Sequence, residues 1–177
     1  MTIEDMSAYM FEHEKDQPVL HLNRQQAELL LRNTRHGRLA FLTDGQIEIF
    51  PVNYAFDGKK LFFRTAPGSK LLAAQARAMV AFETDGILPD EGWSVVVRGN
   101  ISTVPEEDID YVRGLGLAPW VPTYKDFFVS LSIEKITGRH FIFARQPERG
   151  DERTFQYDPD QPRSTPPENP DPTKLSR

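Results

Sequence analysis

The sequence holds no cysteine in 177 residues. Disulfides, thiolate nucleophiles and Cys-ligated zinc are therefore excluded. No apolar run approaches the roughly 20 residues that a helix needs to span a bilayer. Positive charge is scarce too: 21 Lys and Arg stand against 26 Asp and Glu, a formal net charge of -5. A nucleic-acid surface wants clustered positive charge, so that partner class is set aside. The opening stretch, MTIEDMSAYMFEHEKDQ, is acidic and lacks the basic-then-apolar order of a secretory signal. No HExxH or other metal-ligand spacing appears, and there is no GxSxG elbow and no Walker loop. The expectation is a cytoplasmic protein with no membrane segment, no metal and no nucleic-acid partner.

What is present has a globular balance, with 39% hydrophobic and 27% charged residues, so a packed core is expected. At this length one domain is expected, with excess at the ends. Residues 146 to 177 carry Pro147, Pro159, Pro162, Pro166, Pro167, Pro170 and Pro172, and little apolar content beyond Phe155, Tyr157 and Leu175. Such a segment buries too little surface to offset its ordering entropy. Residues 145–177 thus read as a disordered tail or an arm lying on a partner subunit. Residues 1–20 are loosely patterned and form an N-terminal extension, from which Tyr9, Met10 and Phe11 offer docking side chains. The body is 21–144.

Within the body, LNRQQAELLLRNTRHG reads as a helix. Asn23 suits the N-cap and Gln26 the capping-box position. Ala27, Leu30 and Leu31 recur at helical spacing. Gly37 is the expected stop, with Arg35 and His36 in the last turn. Asp44-Gly45 and Asp57-Gly58 each lie between β-rich runs, a strong hairpin signal, so residues 38–65 read as a three-stranded meander. SKLLAAQARA reads as a short helix and MVAFETD as a fourth strand. WSVVVRGNISTV is a fifth, with Trp93, Val95, Val97, Gly99 and Ile101 on one face. Pro105 opens a helix with acidic residues in its first turn. FFVSLSIEKITGRHFIFA is a sixth strand, with a break expected at Gly138. Six or seven antiparallel strands with a few helices predict a mainly β protein, a closed or nearly closed small barrel.

Three stretches carry candidate chemistry. FFRTAPGSKLL, 62–72, ends a strand in Arg64 and Thr65, turns at Pro67-Gly68 and enters a helix at Ser69 and Lys70. Arg64 offers a bidentate fork, Lys70 a point charge, Thr65 and Ser69 hydroxyls, and Gly68 a close backbone approach. The stretch is either an ordinary strand-to-helix turn or a grip for a phosphate. In PVNYAFDG, 51–58, Pro51 marks an edge or a bulge. Asn53 sits among apolar positions and needs partners, either a neighbouring turn or a ligand with imide-like edges. In EGWSVVVRG, 91–99, Trp93 beside Ser94 suits a planar ligand, a core or a subunit interface. His36 is placed at a helix end, His13 and His21 in the loose N-terminal region, and His140 on a strand.

Taken in order, HGRLAFLTDG, PVNYAFDGKKLFFRTAPGSKL, VAFETD and GWSVVVRG resemble the pyridoxamine 5'-phosphate oxidase-like flavin-binding family over about 23–143. The resemblance implies an antiparallel split β-barrel and a homodimer, with FMN at the subunit interface and a small-molecule substrate. By the same resemblance, Arg64, Thr65, Ser69 and Lys70 form the phosphate clamp. Val52, Asn53 and Tyr54 run beside the isoalloxazine and ribityl chain. Trp93 and Ser94 lie near the ring or phosphate, from either subunit. The Arg-and-His substrate motif of the true oxidases has no match in EKITGRHFIFARQPERG. The chain therefore looks closer to the smaller flavin-binding or nitroreductase-like relatives. An FMN-dependent oxidoreductase with no catalytic side chain assigned is the expectation. A deazaflavin-dependent reductase and a non-catalytic flavin carrier or sensor are the alternatives.

Overall fold

The computed structural model describes residues 11–13, 17–117 and 125–143. The chain divides into Met1–Ala144 and Arg145–Arg177. The second unit, and with it the Pro-rich stretch, lies outside the described residues, as do Tyr9 and Met10. The elements in chain order are β1 (Val19–Leu22), α1 (Arg24–Asn33), β2 (His36–Thr43), β3 (Gln46–Phe56), β4 (Lys60–Thr65), α2 (Ser69–Gln75), β5 (Met79–Ile87), β6 (Glu91–Thr103), a 3-10 turn (Glu106–Asp108), α3 (Ile109–Gly114), β7 (Phe127–Ser132) and β8 (Lys135–Ile142).

The strands run β1-β8-β6-β5-β2-β3-β4-β7, and β6 pairs with β7 as well. That second pairing closes six antiparallel strands into a barrel. Strands β8 and β1 extend the sheet past β6, so the described residues hold eight strands rather than six or seven. The added first strand starts at Val19, inside the stretch expected to be loosely patterned. It pairs with β8 from Val19↔Phe141 to Leu22↔Gly138.

Local chemistry explains the boundaries. Asn23 caps α1: its side chain accepts from the Gln26 N–H, and the Gln26 side chain accepts from the Asn23 N–H, each at 2.9 Å. Ala27, Leu30 and Leu31 are buried, as their spacing requires. The helix stops at Asn33, earlier than expected, and the Thr34 hydroxyl donates back to the Leu30 carbonyl. Gly37 is therefore not a helix stop and His36 does not end a helix; both lie in β2. Glycine is needed at 37 for closeness: a Cβ there would meet the Glu83 carbonyl and the Phe82 ring at 2.4 Å. Both residues of Asp44-Gly45 have positive φ, as a primed hairpin turn demands. At the other turn Gly58 alone does, and the Asp57 carboxylate accepts from the Lys59 and Lys60 N–H groups.

On β6, Trp93, Val95, Val97 and Ile101 are buried on one face, as the alternation predicted. They pack with Leu39, Tyr54, Phe63 and Phe82 in the main core. The same strand changes partner near its middle. It pairs with β8 up to Arg98↔Lys135 and with β7 from Ile101↔Leu131. Gly99 lies between, and a Cβ there would fall 1.7 Å from the Ser132 carbonyl oxygen. The chain break between β7 and β8 falls at residues 133–134, opposite this crossing, and not at Gly138, which lies inside β8. Residues 46–53 of β3 pair with β2, and the β4 ladder begins only at Tyr54. The Tyr54 N–H donates to the Arg35 carbonyl, so by alternation the Pro51 nitrogen faces the other, open side.

Gly99→Ala should lower stability by about 1–3 kcal/mol or more, since its methyl has no space to enter. Urea denaturation of the two proteins checks this.

Candidate functional site

The end of β4, the turn after it and the start of α2 enclose a cavity with the Pro51–Asn53 stretch of β3. Its volume is about 400 Å³, in the range of small-molecule sites. Val52, Asn53, Arg64, Thr65, Ser69 and Lys70, all singled out from the sequence, line it together. His36, Gly37 and Arg38 at the start of β2 also line it, as does Lys125 ahead of β7. No Asp or Glu is among the described residues that line it.

The other three singled-out residues lie elsewhere. Tyr54 is on the inward face of β3 and is buried in the core. Its hydroxyl donates to the Leu31 carbonyl at 2.9 Å, and its ring meets Phe82 edge-on. Burial pushes the phenol far above its ordinary pKa, so it stays a neutral donor. Trp93 is buried on the inner face of β6, in register with His140. Gly86 makes room for its indole. Ser94, on the opposite face, is in register with Asp85 and Arg139. Neither Trp93 nor Ser94 is among the cavity's lining residues.

The side chains expected to form a clamp are held by contacts of their own. Arg64 donates from Nε to the Lys125 carbonyl at 2.9 Å and lies over the Phe128 ring. Its two Nη groups are left for other partners. The Thr65 hydroxyl donates to the Ala66 carbonyl. The Lys70 ammonium sits 3.9 Å from the centre of the Phe50 ring, a cation-π contact. Burial lowers the pKa of Lys70, Lys125 lowers it further, and Glu48 opposes both. Like-charged ammonium groups thus press on each other in a partly desolvated site. An anion between them relieves that strain. Helix α2 is seven residues long, and Gly68 at its N-cap offers no side chain to cap its first N–H groups.

Lys125 and Arg38 were not singled out from sequence. Lys125 is far from the clamp along the chain and lies in a stretch with no periodic pattern. Arg38 reads as one more charged residue on a strand. It bonds Glu83 and Asp85 at 2.7 Å each, on the outer face of the sheet beside the cavity. Among the described residues no His, Cys, Asp and Glu cluster is arranged to hold a metal. No helix among them is long and apolar enough to cross a membrane.

Residues 23–140 match the pyridoxamine 5'-phosphate oxidase family. The chain belongs to that family. The match spans β2 to β6 and most of β8, so every cavity-lining residue falls within it. Family relatives of known structure are similar in shape as well. One from Corynebacterium glutamicum is 34% identical with a TM-score of 0.65, covering 75% of this chain and 100% of that one. The FAD-binding protein of Mycobacterium smegmatis is 34% identical with a TM-score of 0.62, covering 71% of this chain and 100% of that one. An uncharacterized Mycobacterium tuberculosis protein is 39% identical over 93 residues, 52% of this chain and 84% of its own.

The lowered pKa of Lys70 has a measurable consequence. Its charge is lost, as pH rises, before that of an exposed lysine. Binding of inorganic phosphate, the ligand expected from the sequence, should therefore weaken on the alkaline side earlier than ordinary lysine titration allows. Lys70→Arg, which keeps its charge, should flatten that fall. Calorimetric titration at several pH values tests both statements.

Proposed function

We propose that this chain is a flavin-nucleotide-binding protein of the oxidoreductase type. The observation that carries the reading is a cavity lined by Arg64, Lys70 and Lys125, with no carboxylate among its described lining residues, in a chain of net charge -5. Arg64 and Lys70 would hold the flavin phosphate, with the Thr65 and Ser69 hydroxyls as further partners. Val52 and Asn53, on the open stretch of β3, would lie beside the ring and ribityl chain. The bound flavin supplies the redox chemistry. The protein binds it, orients it and sets the polarity around it. No lining carboxylate is at hand for acid or base work, so no catalytic side chain is assigned.

FMN is the form whose single phosphate the clamp accounts for. FAD is the second reading, favoured by the relative from Mycobacterium smegmatis that binds it. The purified protein should bind flavin in a visible-absorbance titration, and the flavin released on denaturation identifies the form. A protein that takes up neither FMN nor FAD overturns the reading, and a preference for a deazaflavin replaces it with that reductase. Arg64→Ala combined with Lys70→Ala should weaken binding by about 3–6 kcal/mol, since charged hydrogen bonds contribute roughly 1.5–3 kcal/mol each.

We extend the proposal to a homodimer. Leu42 and Ile47 are cross-strand partners on the outer face of the β2–β3 hairpin, and Ile49 is on the same face. Each is more than half exposed. That apolar patch continues along the same face to Pro51 and Arg38, at the cavity itself. A second copy covering it would complete the cavity mouth. Light scattering should show a dimer, and Ile49→Glu should shift it to monomer and weaken flavin binding. A flavin-loaded monomer in the unaltered protein contradicts the dimer while leaving the clamp intact.

A further inference from the structure

His13, His140 and Glu91 come together, and none of them is among the cavity's lining residues. His140 is 2% exposed, on the inner face of β8. Its Nδ1 lies 2.8 Å from His13 Nε2, and its Nε2 lies 3.4 Å from Glu91 Oε2. His13 Nδ1 lies 2.8 Å from the Gln17 carbonyl. Phe11 stacks on the His140 ring at 4.3 Å and joins the main core. Residues 11–13 are thus fastened to the sheet by one stacked ring and one imidazole pair.

The hydrogen bonds dictate where the protons are. The Gln17 carbonyl only accepts, so His13 carries its proton on Nδ1. His13 Nε2 is then an acceptor, and His140 donates to it from Nδ1. His140 presents Nε2 to the Glu91 carboxylate. One added proton on that Nε2 makes an ion pair with Glu91 and leaves the other bonds intact. A second, on His13 Nε2, sets N–H against N–H and removes the bond between the rings.

We propose that His13, His140 and Glu91 form a proton-controlled fastener that holds residues 11–13 on the sheet at neutral pH and releases them in acid. Burial, first, lowers the pKa of His140; His13 adds to this, and Glu91 opposes both. The fastened form therefore binds fewer protons than the released form. Fastening is complete above the ordinary imidazole value of about 6.5 and weakens as pH falls below it.

Among the described residues, the neighbouring elements offer no other titrating partner on that face. On β1, His21 is in register with Arg139 and lies on the opposite face from His140. On β6, Arg98 also lies on the opposite face, while Glu91 shares the face of Trp93 and His140. On β8 itself, Lys135 and Arg139 alternate with His140 and point away. On α1, Arg24 and Glu28 pair with each other and Arg32 lies over Phe56. In the segment, Glu12 is exposed.

The test follows the Phe11 ring protons by NMR in the full chain from pH 8 to pH 5, because stacking on His140 displaces their shifts. In the unaltered protein they should move toward unstacked values as pH falls below about 6.5. His13→Gln keeps an acceptor that cannot be protonated, so its release should move to lower pH than in the unaltered protein. Glu91→Gln removes the group that tolerates the first proton, so release should move to higher pH. Constant shifts in the unaltered protein, or a His13→Gln variant that titrates like it, would overturn the proposal.

Discussion

The near-contact of two backbones at Gly99 is the constraint on which the rest of the structure depends. One strand, β6, has to serve β8 along its first half and β7 at its end. Only a residue without a side chain lets the Ser132 carbonyl pass so close. That passage brings β7 onto β4 and closes the ring. It also delivers two supports of the cavity. The Lys125 carbonyl and the Phe128 ring, which fix Arg64, belong to the chain entering β7. The phosphate grip proposed here is thus built from two distant stretches that meet because a third one bends past a glycine.

Charge in this molecule is arranged against its own average. An acidic chain keeps its carboxylates out of one cavity and gathers cations there. The mutual pressure of Lys70 and Lys125 costs stability without an anion and becomes favourable with one. Local conflicts of this kind are expected at functional sites, where the folding rules are relaxed and compensated elsewhere. The compensation here is visible: a ring under Lys70 and a carbonyl under Arg64.

Much of this was legible from residue order. The Asp-Gly pairs, the Asn23–Gln26 capping box and the alternation along β6 are local signals, and local hydrogen bonds and φ angles satisfy them. The stretch from Arg64 to Lys70 was legible for the same reason, since its groups are neighbours in sequence. What escaped depended on distance along the chain. Gly37 resembled a helix stop because a lone glycine does not reveal which backbone will approach it. Strand β1 has four residues and no pattern until β8 supplies its partner. Tyr54 and Trp93 look the same in sequence whether they face a ligand or the core; only the closed barrel decides, and it turns both inward. Lys125 and the His13–His140 pair had no signal at all, because no local rule joins residues so far apart.

Among the described residues, barrel closure leaves the 46–53 stretch of β3 and the outer side of β1 open. Exposed edges invite pairing with foreign strands, the first step toward aggregates. Each edge is poorly suited to that. On β3, Pro51 puts a position with no N–H on the open side, so an incoming strand finds its ladder interrupted. On β1, four residues are too few for a register to take hold. The imino acid that marked a strand edge in the sequence thus serves the shelf life of the folded protein as well as the shape of its cavity.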